Sequence, residues 1–417
     1  MEKESLARLL CDFISGGEIP EARLAELSPA DWEHLAIFAL RFQVGGMLYR
    51  EIKSRGLPAW LVPADVGNGL RDAYRNHATL NTCLFSDASK VIRALVGNQL
   101  PVIALKGLAL AKNIYGDIAL RPMSDMDLLV KESDLGRAGR ILLALGYKPH
   151  PAVLGCALNV PHHSPPFTNK SGTVIELHWN IVAPDGPVKV DVDGLWERAC
   201  LVTVGDVEVR TLSPEDLFLH LCVHACRHLQ DGLGLIQLCD IAGLVKTSVD
   251  KIDWQVVVGR AARWGARKCV YLMLLLVRDL LGAALPEKIM SGMKPDGYQP
   301  VFLDAARAQI FEASPEVPLV TITRRVGQLS EIKNAGGLKG KALVFLEKGF
   351  PSKAYLSRMY RVPVSSPKIY LCCFFRLCRL MACYTGTLLR LSARDQSAVE
   401  AVRQSQRAGV VSAWLFS

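Results

Sequence analysis

Two aspartates separated by one residue stand in a short apolar segment of this 417-residue chain. The segment reads DMDLLV, and its acids are Asp125 and Asp127. Residues two apart in a β-strand point to the same side of the sheet, so a strand here presents both carboxylates on one face. Carboxylate oxygens suit hard divalent cations such as Mg²⁺ and Mn²⁺. The pair therefore predicts a metal site.

A third acid lies on the next strong strand candidate. In TVIELHWNIV, Glu176 and His178 share one face of the predicted strand, while apolar residues occupy the other. If that strand lies beside the aspartate pair, Glu176 completes an oxygen cage for divalent metal. Two ions about 4 Å apart stabilise the attacking and leaving oxygens in phosphoryl and nucleotidyl transfer. Glu176 is also the candidate base for the proton of an incoming hydroxyl.

Histidines flank the predicted metal site in the sequence. His162 and His163 precede the strand that carries Glu176, and His178 follows that acid on the same face. Imidazoles near an anionic substrate donate hydrogen bonds or take protons, so we expect His163 and His178 in an acceptor pocket. We expect His162 to be a solvent-exposed loop residue.

A second group of histidines recurs every four residues. His220, His224 and His228 form one stripe if the segment is helical. The outer two lie about 12 Å apart by helix rise, which is too far for one shared ion. Two interpretations remain open: the stripe lines the acceptor pocket, with His224 and Asp240 facing each other, or the histidines are buried and hydrogen-bonded.

The pattern of apolar residues predicts an α/β protein with a small mixed sheet. Helical spacing dominates up to about residue 98, and short strand-like runs follow between Leu100 and Thr211. After Ser213, the motif SPEDLF predicts a capped helix, and helical spacing then continues. We expect an N-terminal helical region at 1–98, a core at 99–212, a helical domain at 213–315 that closes the active-site cleft, and a basic helical tail at 316–417.

Composition and charge restrict the class of protein. Half of the residues are hydrophobic, which is typical of a globular chain. The twelve cysteines form no CxxC pair, which favours a reducing compartment. The N-terminus lacks the pattern of a secretion signal, and the longest strongly apolar stretch, 269–277, is too short to span a bilayer. We therefore expect a soluble cytoplasmic protein.

The net charge of +9 is concentrated in the last quarter of the chain. After Thr321, Lys and Arg far outnumber Asp and Glu. The apolar stretch at 369–394 has one narrow stripe of arginines, namely Arg376, Arg379, Arg390 and Arg394. Such a helix either lies on an anionic membrane surface, at the inner face of the membrane, or packs on the protein with its arginines in water.

Several motifs occur in an order that resembles a known family. They are LKG, an Arg four residues before a DxD that runs into LLV, then ELHW, LSPEDLFLHLCVHACRH and CDIAGLV. Over roughly Leu70 to Val245, the chain resembles an uncharacterised bacterial nucleotidyltransferase family of the polymerase-β-like superfamily. The resemblance implies a polymerase-β-like core, a nucleoside triphosphate such as ATP as substrate, and Mg²⁺ or Mn²⁺ as cofactor. Members of the family are often associated with exopolysaccharide or peptide natural-product gene clusters.

The resemblance also implies roles for individual residues. Asp125 and Asp127 match the metal-binding pair, and Glu176 matches the third acid, where Asp is commoner in the superfamily. Lys106 and Gly107 stand where the superfamily has a Gly-Ser turn that holds the triphosphate. A Lys ammonium at a helix N-terminus can meet phosphate charge. Arg121 reaches the phosphates, braces the DxD strand or forms a surface salt bridge.

The sequence therefore predicts a metal-dependent nucleotidyltransferase. It would move a nucleotidyl group from a nucleoside triphosphate to a hydroxyl or phosphate of a small or lipid-linked acceptor. Two alternatives stay open. The acceptor is protein or RNA, for which the basic tail gives mild support, although nucleic acid is the less favoured partner. Otherwise the chain is a nucleotide-binding or scaffold protein without turnover, since its Lys-Gly turn and third acid depart from the superfamily pattern.

Overall fold

The structure is a computed structural model that describes most of the chain before residue 312. The described residues are 1–58, 60–149, 162–229, 234–248 and 250–311, and beyond these 353, 356, 362–363, 365–378, 385, 393 and 396–415. The chain divides into two compact units, of which the first takes in Met1–His150, Val160–His228 and Leu233–Leu303. The predicted domain divisions near residues 98, 212 and 315 stay predictions.

The N-terminal part is helical, as the spacing of its apolar residues predicts. Ser28 and Asp31 form a capping box at the start of the third helix: the Ser28 hydroxyl accepts from the Asp31 N–H, and the Asp31 carboxylate accepts from the Ser28 N–H. The long fifth helix buries Leu84, Ala88 and Leu95 in the core that it shares with the sheet. The helices are α1 (Lys3–Ser15), α2 (Glu21–Ala25), α3 (Pro29–Arg41), α4 (Gly45–Ser54) and α5 (Ala64–Gly97).

A seven-stranded mixed sheet follows, which confirms the predicted α/β class. Its strands are β1 (Ile103–Ala104), β2 (Asp125–Leu129), β3 (Lys148–Pro149), β4 (Phe167–Thr168), β5 (Val174–His178), β6 (Cys200–Val204) and β7 (Val207–Thr211). Their order is β3-β4-β5-β2-β1-β7-β6. The β2–β5 and β1–β7 pairs are parallel, and the other pairs are antiparallel. The strand with the aspartate pair therefore lies beside the strand with Glu176.

Short helices connect the strands, and one of them begins earlier than the sequence indicates. They are α6 (Lys106–Asn113), α7 (Leu135–Ala144), α8 (Val192–Arg198) and two 3₁₀ turns, Ile118–Leu120 and Glu132–Asp134. The sequence predicts a β-type run up to Gly107 and a helix from Leu108. In the structure β1 ends at Ala104, and Leu105 is the extended residue at the N-cap of α6. Lys106 and Gly107 therefore belong to the first helical turn, because strand pairing ends before them.

The helices after the sheet begin as predicted, at the motif SPEDLF. The Ser213 hydroxyl accepts a hydrogen bond from the Asp216 N–H at 3.2 Å, next to Pro214 at the first helical position. Within the described residues, no helix has the length and apolar character needed to cross a membrane. These helices are α9 (Pro214–His228), α10 (Leu235–Ser248), α11 (Trp254–Trp264), α12 (Arg267–Leu281), α13 (Glu287–Met293), α14 (Pro300–Phe311) and, later, Gln396–Leu415.

Candidate metal and nucleotide site

The candidate site lies where β2 and β5 run side by side. In the parallel register of these strands, Asp127 pairs with Glu176 and Asp125 pairs with Val174. Paired positions of adjacent strands carry side chains on the same face of the sheet, so the carboxylates of Asp127 and Glu176 lie together. His178 follows Glu176 on that face. The sheet therefore brings side chains from two separate sequence motifs into one cluster.

Both carboxylate oxygens of Asp127 are engaged in the structure. Its Oδ1 lies 2.7 Å from Nε2 of His178, and its Oδ2 lies 2.9 Å from Nζ of Lys106. Asp127 is buried, and burial acts to raise the pKa of this carboxyl. The positive charges of Lys106 and His178 outweigh that effect and hold the pKa well below its usual range. Asp127 is therefore an anion whose two oxygens are held by cationic side chains.

Asp125 has a different environment on the same strand. Burial raises the pKa of Asp125 to about 6, and the negative charges of Asp127 and Glu176 contribute to that rise. The Ser124 hydroxyl donates to its Oδ1 at 3.2 Å. A carboxylate held among other carboxylates is unfavourable without a bound cation. The two aspartates of the motif thus titrate in different pH ranges.

His163 approaches Glu176 from the chain segment before β4. Its backbone forms an isolated β-bridge with His178, which brings the two rings to a centroid distance of 4.9 Å. Nδ1 of His163 lies 2.7 Å from the Ser164 carbonyl oxygen, so this nitrogen carries the proton that it donates. Nε2 then presents its lone pair, and it lies 3.5 Å from Oε2 of Glu176. Burial lowers the pKa of His163, which favours the neutral ring.

These residues fit a divalent ion. One ligand atom each from Asp127, Glu176 and His178 lies within 4.8 Å of the others, which is close enough for a single ion to contact all three. His163 lies beside this group: its Nδ1–H donates to the Ser164 carbonyl oxygen, and its Nε2 lies 3.5 Å from Oε2 of Glu176. Asp125, two residues from Asp127 on the same face, extends the acidic surface.

Comparison with known proteins agrees with this geometry. A family model described as uncharacterised nucleotidyltransferase matches residues 28–282. The chain belongs to this nucleotidyltransferase family. Membership supports nucleotidyl transfer as its activity, and it confirms the resemblance that the sequence motifs indicated. No curated protein and no solved structure matches the chain.

In this nucleotidyltransferase, Arg121 and Asp240 form a buried ion pair. Nε and Nη2 of Arg121 donate to the two carboxylate oxygens of Asp240 at 3.1 and 2.8 Å, and the Tyr115 hydroxyl donates to Oδ1 at 2.7 Å. The ionised carboxylate holds the pKa of Arg121 above its usual range in spite of burial, which acts to lower it. A Cβ at Gly107 would lie 2.6 Å from Nη1 of Arg121. The pair therefore packs against the first turn of α6.

The histidine stripe of α9 lies close enough to the site for the charges of Lys106 and Asp127 to act on His220 and His224. The Nε2 atoms of His224 and His228 are 3.2 Å apart, and their rings are in edge contact. His220 is buried, and among the described residues its ring nitrogens have no hydrogen-bond partner. Burial lowers the pKa of His220 to about 3. His220 is therefore buried as predicted, but among the described residues it lacks the predicted hydrogen bond.

His162 is also placed differently from the prediction. Its side chain is buried, with Nε2 3.4 Å from Nη1 of Arg227 and its ring 5.5 Å from that of His178. The expected exposed loop residue is thus a core residue beside the candidate site. The reason is backbone pairing, since the Trp179 N–H donates to the His162 carbonyl oxygen. A double histidine shortly before the alternating strand was the available signal.

The predicted residues thus fall into two groups around the site. Asp127, Glu176, His163 and His178 lie together with Lys106, while Asp125 stands on the same strand. The second group, Arg121 with Asp240, is joined to the first through Gly107. The assignment of His163, His178, His224 and Asp240 to an acceptor pocket stays a prediction.

Proposed function

We propose that this protein transfers a nucleotidyl group from a nucleoside triphosphate to an acceptor hydroxyl or phosphate. The acceptor oxygen forms a bond to the α-phosphorus, the bond from that phosphorus to the bridging oxygen breaks, and pyrophosphate leaves. The proton of an acceptor hydroxyl passes to a carboxylate of the site. Family membership supports the reaction class, and the geometry of the site supports the roles of individual residues.

The observation that carries the proposal is the convergence of Asp127, Glu176 and His178. Their ligand atoms lie within 4.8 Å of one another on two strands in parallel register. Strands hold side chains more rigidly than loops do, which suits a site that must position a reacting phosphate. Two of the three donors are carboxylates, and carboxylate oxygens are common protein ligands of the divalent ion that accompanies a triphosphate.

We propose Mn²⁺ or Mg²⁺ as the ion, with Asp125, Asp127 and Glu176 as its oxygen donors. When bound, the ion neutralises negative charge on the phosphate oxygens. The nitrogen donors favour Mn²⁺, because Mg²⁺ prefers oxygen ligands and imidazole suits first-row transition metals. The ring of His178 is a direct candidate ligand, and Nε2 of His163 faces the same carboxylate at 3.5 Å.

Glu176 is the proposed base. Its side chain is the more exposed of the two central acids, at 21% against 7% for Asp127. A base must reach the acceptor, which enters from solvent, so the exposed acid is the better placed. Asp127 is unsuited to this role because Lys106 and His178 hold its pKa low.

The acceptor that we propose is a small or lipid-linked molecule, in the biosynthesis of an exopolysaccharide or a peptide natural product. The pocket-lining candidates, His163, His178 and His224, offer hydrogen-bond donors that suit hydroxyl and phosphate groups. The lipid-linked version receives separate support from an exposed apolar helix face that is described below.

The experiment supplies each radiolabelled nucleoside triphosphate with Mn²⁺ or Mg²⁺ and an extract of the host cell. Formation of a labelled product with release of pyrophosphate is the expected result. An Asp125→Asn/Asp127→Asn double variant should lose the product entirely. Asp296→Asn, which removes an exposed acid far from the strands of the site, serves as the matched control.

Two results would overturn the proposal. Full transfer by the double variant would remove the acids from the reaction. Metal-dependent binding of triphosphate by the wild-type protein, without pyrophosphate release in any extract, would show a nucleotide-binding protein that does not turn over.

A further inference from the structure

We infer that Lys106 competes with the divalent ion for Asp127 and passes to the phosphates of the triphosphate when the ion binds. This inference rests on the proposed function, and it gives that site an ordered coupling between ion and nucleotide. Lys106 is then a positioning residue in the metal-free protein and a substrate-binding residue in the complex.

The first support is the complete occupation of Asp127. Nζ of Lys106 lies 2.9 Å from Oδ2, and Nε2 of His178 lies 2.7 Å from Oδ1. Both side chains of the Lys106–Asp127 pair are largely buried, at 15% and 7% exposure. A buried carboxylate whose two oxygens are already engaged has to give up at least one partner before it binds an ion with its usual short contacts.

The second support is the position of Lys106 in the backbone. It is the first residue of α6, and its φ is +44°, which non-glycine residues rarely adopt. Such strain persists only where surrounding structure enforces it, and it concentrates at functional sites. The two other described non-glycine residues with positive φ, Gln43 and Gln99, each follow a helix end. Lys106 alone among these three begins a helix and points its side chain at a buried acid.

The third support is electrostatic. An ammonium and a divalent cation repel each other when they share one carboxylate, and the repulsion is strong in a buried site. Once the ion contacts Asp127, Lys106 requires another anion. The triphosphate is the anion that the proposed reaction brings, and the N–H groups of the first α6 turn favour negative charge at the same place. Ion and triphosphate therefore favour each other's binding through Lys106.

The test measures Mn²⁺ binding by calorimetry on the full-length protein without nucleotide. Lys106→Met keeps much of the aliphatic side chain and removes the competing charge, so its Mn²⁺ affinity should rise several-fold above that of the wild-type protein. Inorganic tripolyphosphate serves as the second probe because the base is not identified. In the presence of Mn²⁺, the same variant should bind tripolyphosphate at least tenfold more weakly.

Controls separate this exchange from a simple loss of structure. Lys112→Met removes an exposed lysine of the same helix and should change neither affinity. Lys106→Arg keeps the charge, so its Mn²⁺ affinity should not exceed that of the wild-type protein. A variant with lower affinity for both probes, or with unchanged Mn²⁺ affinity, would overturn the inference. Absence of Mn²⁺ and Mg²⁺ binding to the wild-type protein would instead count against the proposed function itself.

The helix at 368–378 carries a different feature, an exposed apolar face. Tyr370, Leu371, Phe374 and Phe375 are 61%, 58%, 60% and 66% exposed. Their spacing of one, three and one residues places them on one side of a helix, while Ile369 is buried at 1% exposure. Adjacent exposed aromatic and aliphatic side chains of this size mark a site of interaction.

We propose that this face docks on an anionic lipid surface. Cations accompany it: Lys353 donates to the Tyr370 hydroxyl at 2.8 Å and lies 4.9 Å from the ring centroid, and Lys368 is exposed. The chain after Thr321 is strongly basic. Basic residues are attracted to the anionic headgroups of such a surface, and the apolar helix face can insert at the boundary of headgroups and acyl chains. Of the predicted arginine stripe, Arg379, Arg390 and Arg394 lie outside the described residues.

Co-sedimentation of the full-length protein with vesicles tests this docking. Binding to phosphatidylcholine vesicles that contain phosphatidylglycerol, and weaker binding to phosphatidylcholine alone, is expected. Phe374→Glu/Phe375→Glu should reduce binding to the anionic vesicles at least tenfold. Leu80→Glu, at an equally exposed apolar position of α5 (61%), should leave it unchanged. Retained binding by the double variant would contradict the proposal. So would a wild-type protein that binds no lipid but forms a dimer, if the double variant is a monomer.

Discussion

Asp127 and Glu176 stand directly opposite each other on two parallel strands that are far apart in sequence. The first also contacts Lys106 and His178, whereas the second faces His163 and His178 at 3.5 Å. The two acids thus share one histidine but differ in charge environment and exposure. This difference is the physical basis for giving them different chemical roles.

Glu176 should be sensitive to charge more than to length. Glu176→Gln removes an ionised ligand and the proposed base, so we expect transfer to fall at least about a hundredfold. Glu176→Asp keeps the charge and should retain measurable transfer with weakened Mn²⁺ binding. Rates and calorimetric affinities of the two variants check this prediction. Equal activity of Glu176→Gln and wild-type protein would refute the assignment of a base.

Asp125 should destabilise the metal-free protein at neutral and alkaline pH. Its pKa in the folded protein, about 6, exceeds its ordinary value of 3.8, so ionisation costs folding free energy as pH rises through this interval. The cost is complete above pH about 6, absent below about 4, and on the order of 3 kcal/mol at most. Asp125→Asn should therefore raise Tm by a few degrees at pH 8 and leave it unchanged near pH 4.

Mn²⁺ should raise the Tm of Asp125→Asn less than it raises the Tm of the wild-type protein. Mn²⁺ that binds only the folded state raises Tm, and loss of a ligand reduces that shift. Thermal unfolding of both proteins with and without Mn²⁺ at pH 8 checks the two effects together. A lower Tm for metal-free Asp125→Asn at pH 8 would contradict the prediction.

The Arg121–Asp240 pair should support the structure of the site. Asp240→Ala leaves a buried guanidinium without its carboxylate, and we expect a loss of about 3–5 kcal/mol in the free energy of unfolding. Tyr115→Phe removes one hydrogen bond to Asp240 and should cost about 1–3 kcal/mol. Urea denaturation measures both. Unchanged stability of Asp240→Ala, together with lost transfer, would favour the acceptor-pocket role for Asp240.

A second buried ion cluster should stabilise the helices after the sheet. Asp216 is fully buried in α9 and accepts from Arg198 at 2.8 Å and from Arg260 at 2.6 Å. Asp216→Ala leaves two arginines without this carboxylate, so we expect a loss of at least about 3–5 kcal/mol. The exposed Asp296→Asn variant, with an expected change within about 0.5 kcal/mol, is the control. A comparable loss in both variants would contradict the prediction.

Local patterns made much of the fold readable from the sequence. The alternation in TVIELHWNIV and the DxD spacing predicted strands with their acids on one face, and the capping motif at Ser213 predicted the start of α9. These features depend on residues only a few positions apart, whose geometry the backbone period determines. The same period predicted that Glu176 and His178 would share a face.

Contacts between distant segments required the tertiary structure. The Lys106–Asp127 pair, the approach of His163 to Glu176 and the burial of His162 all depend on strand pairing and on the end of β1 before Lys106. The sequence left the role of Arg121 undecided because its ion-pair partner, Asp240, is remote in sequence. The sequence by itself determined which chemical groups are available and which face of each strand carries them. The tertiary structure alone decided which groups meet, because distances between strands and helices follow from packing of the whole core rather than from local spacing.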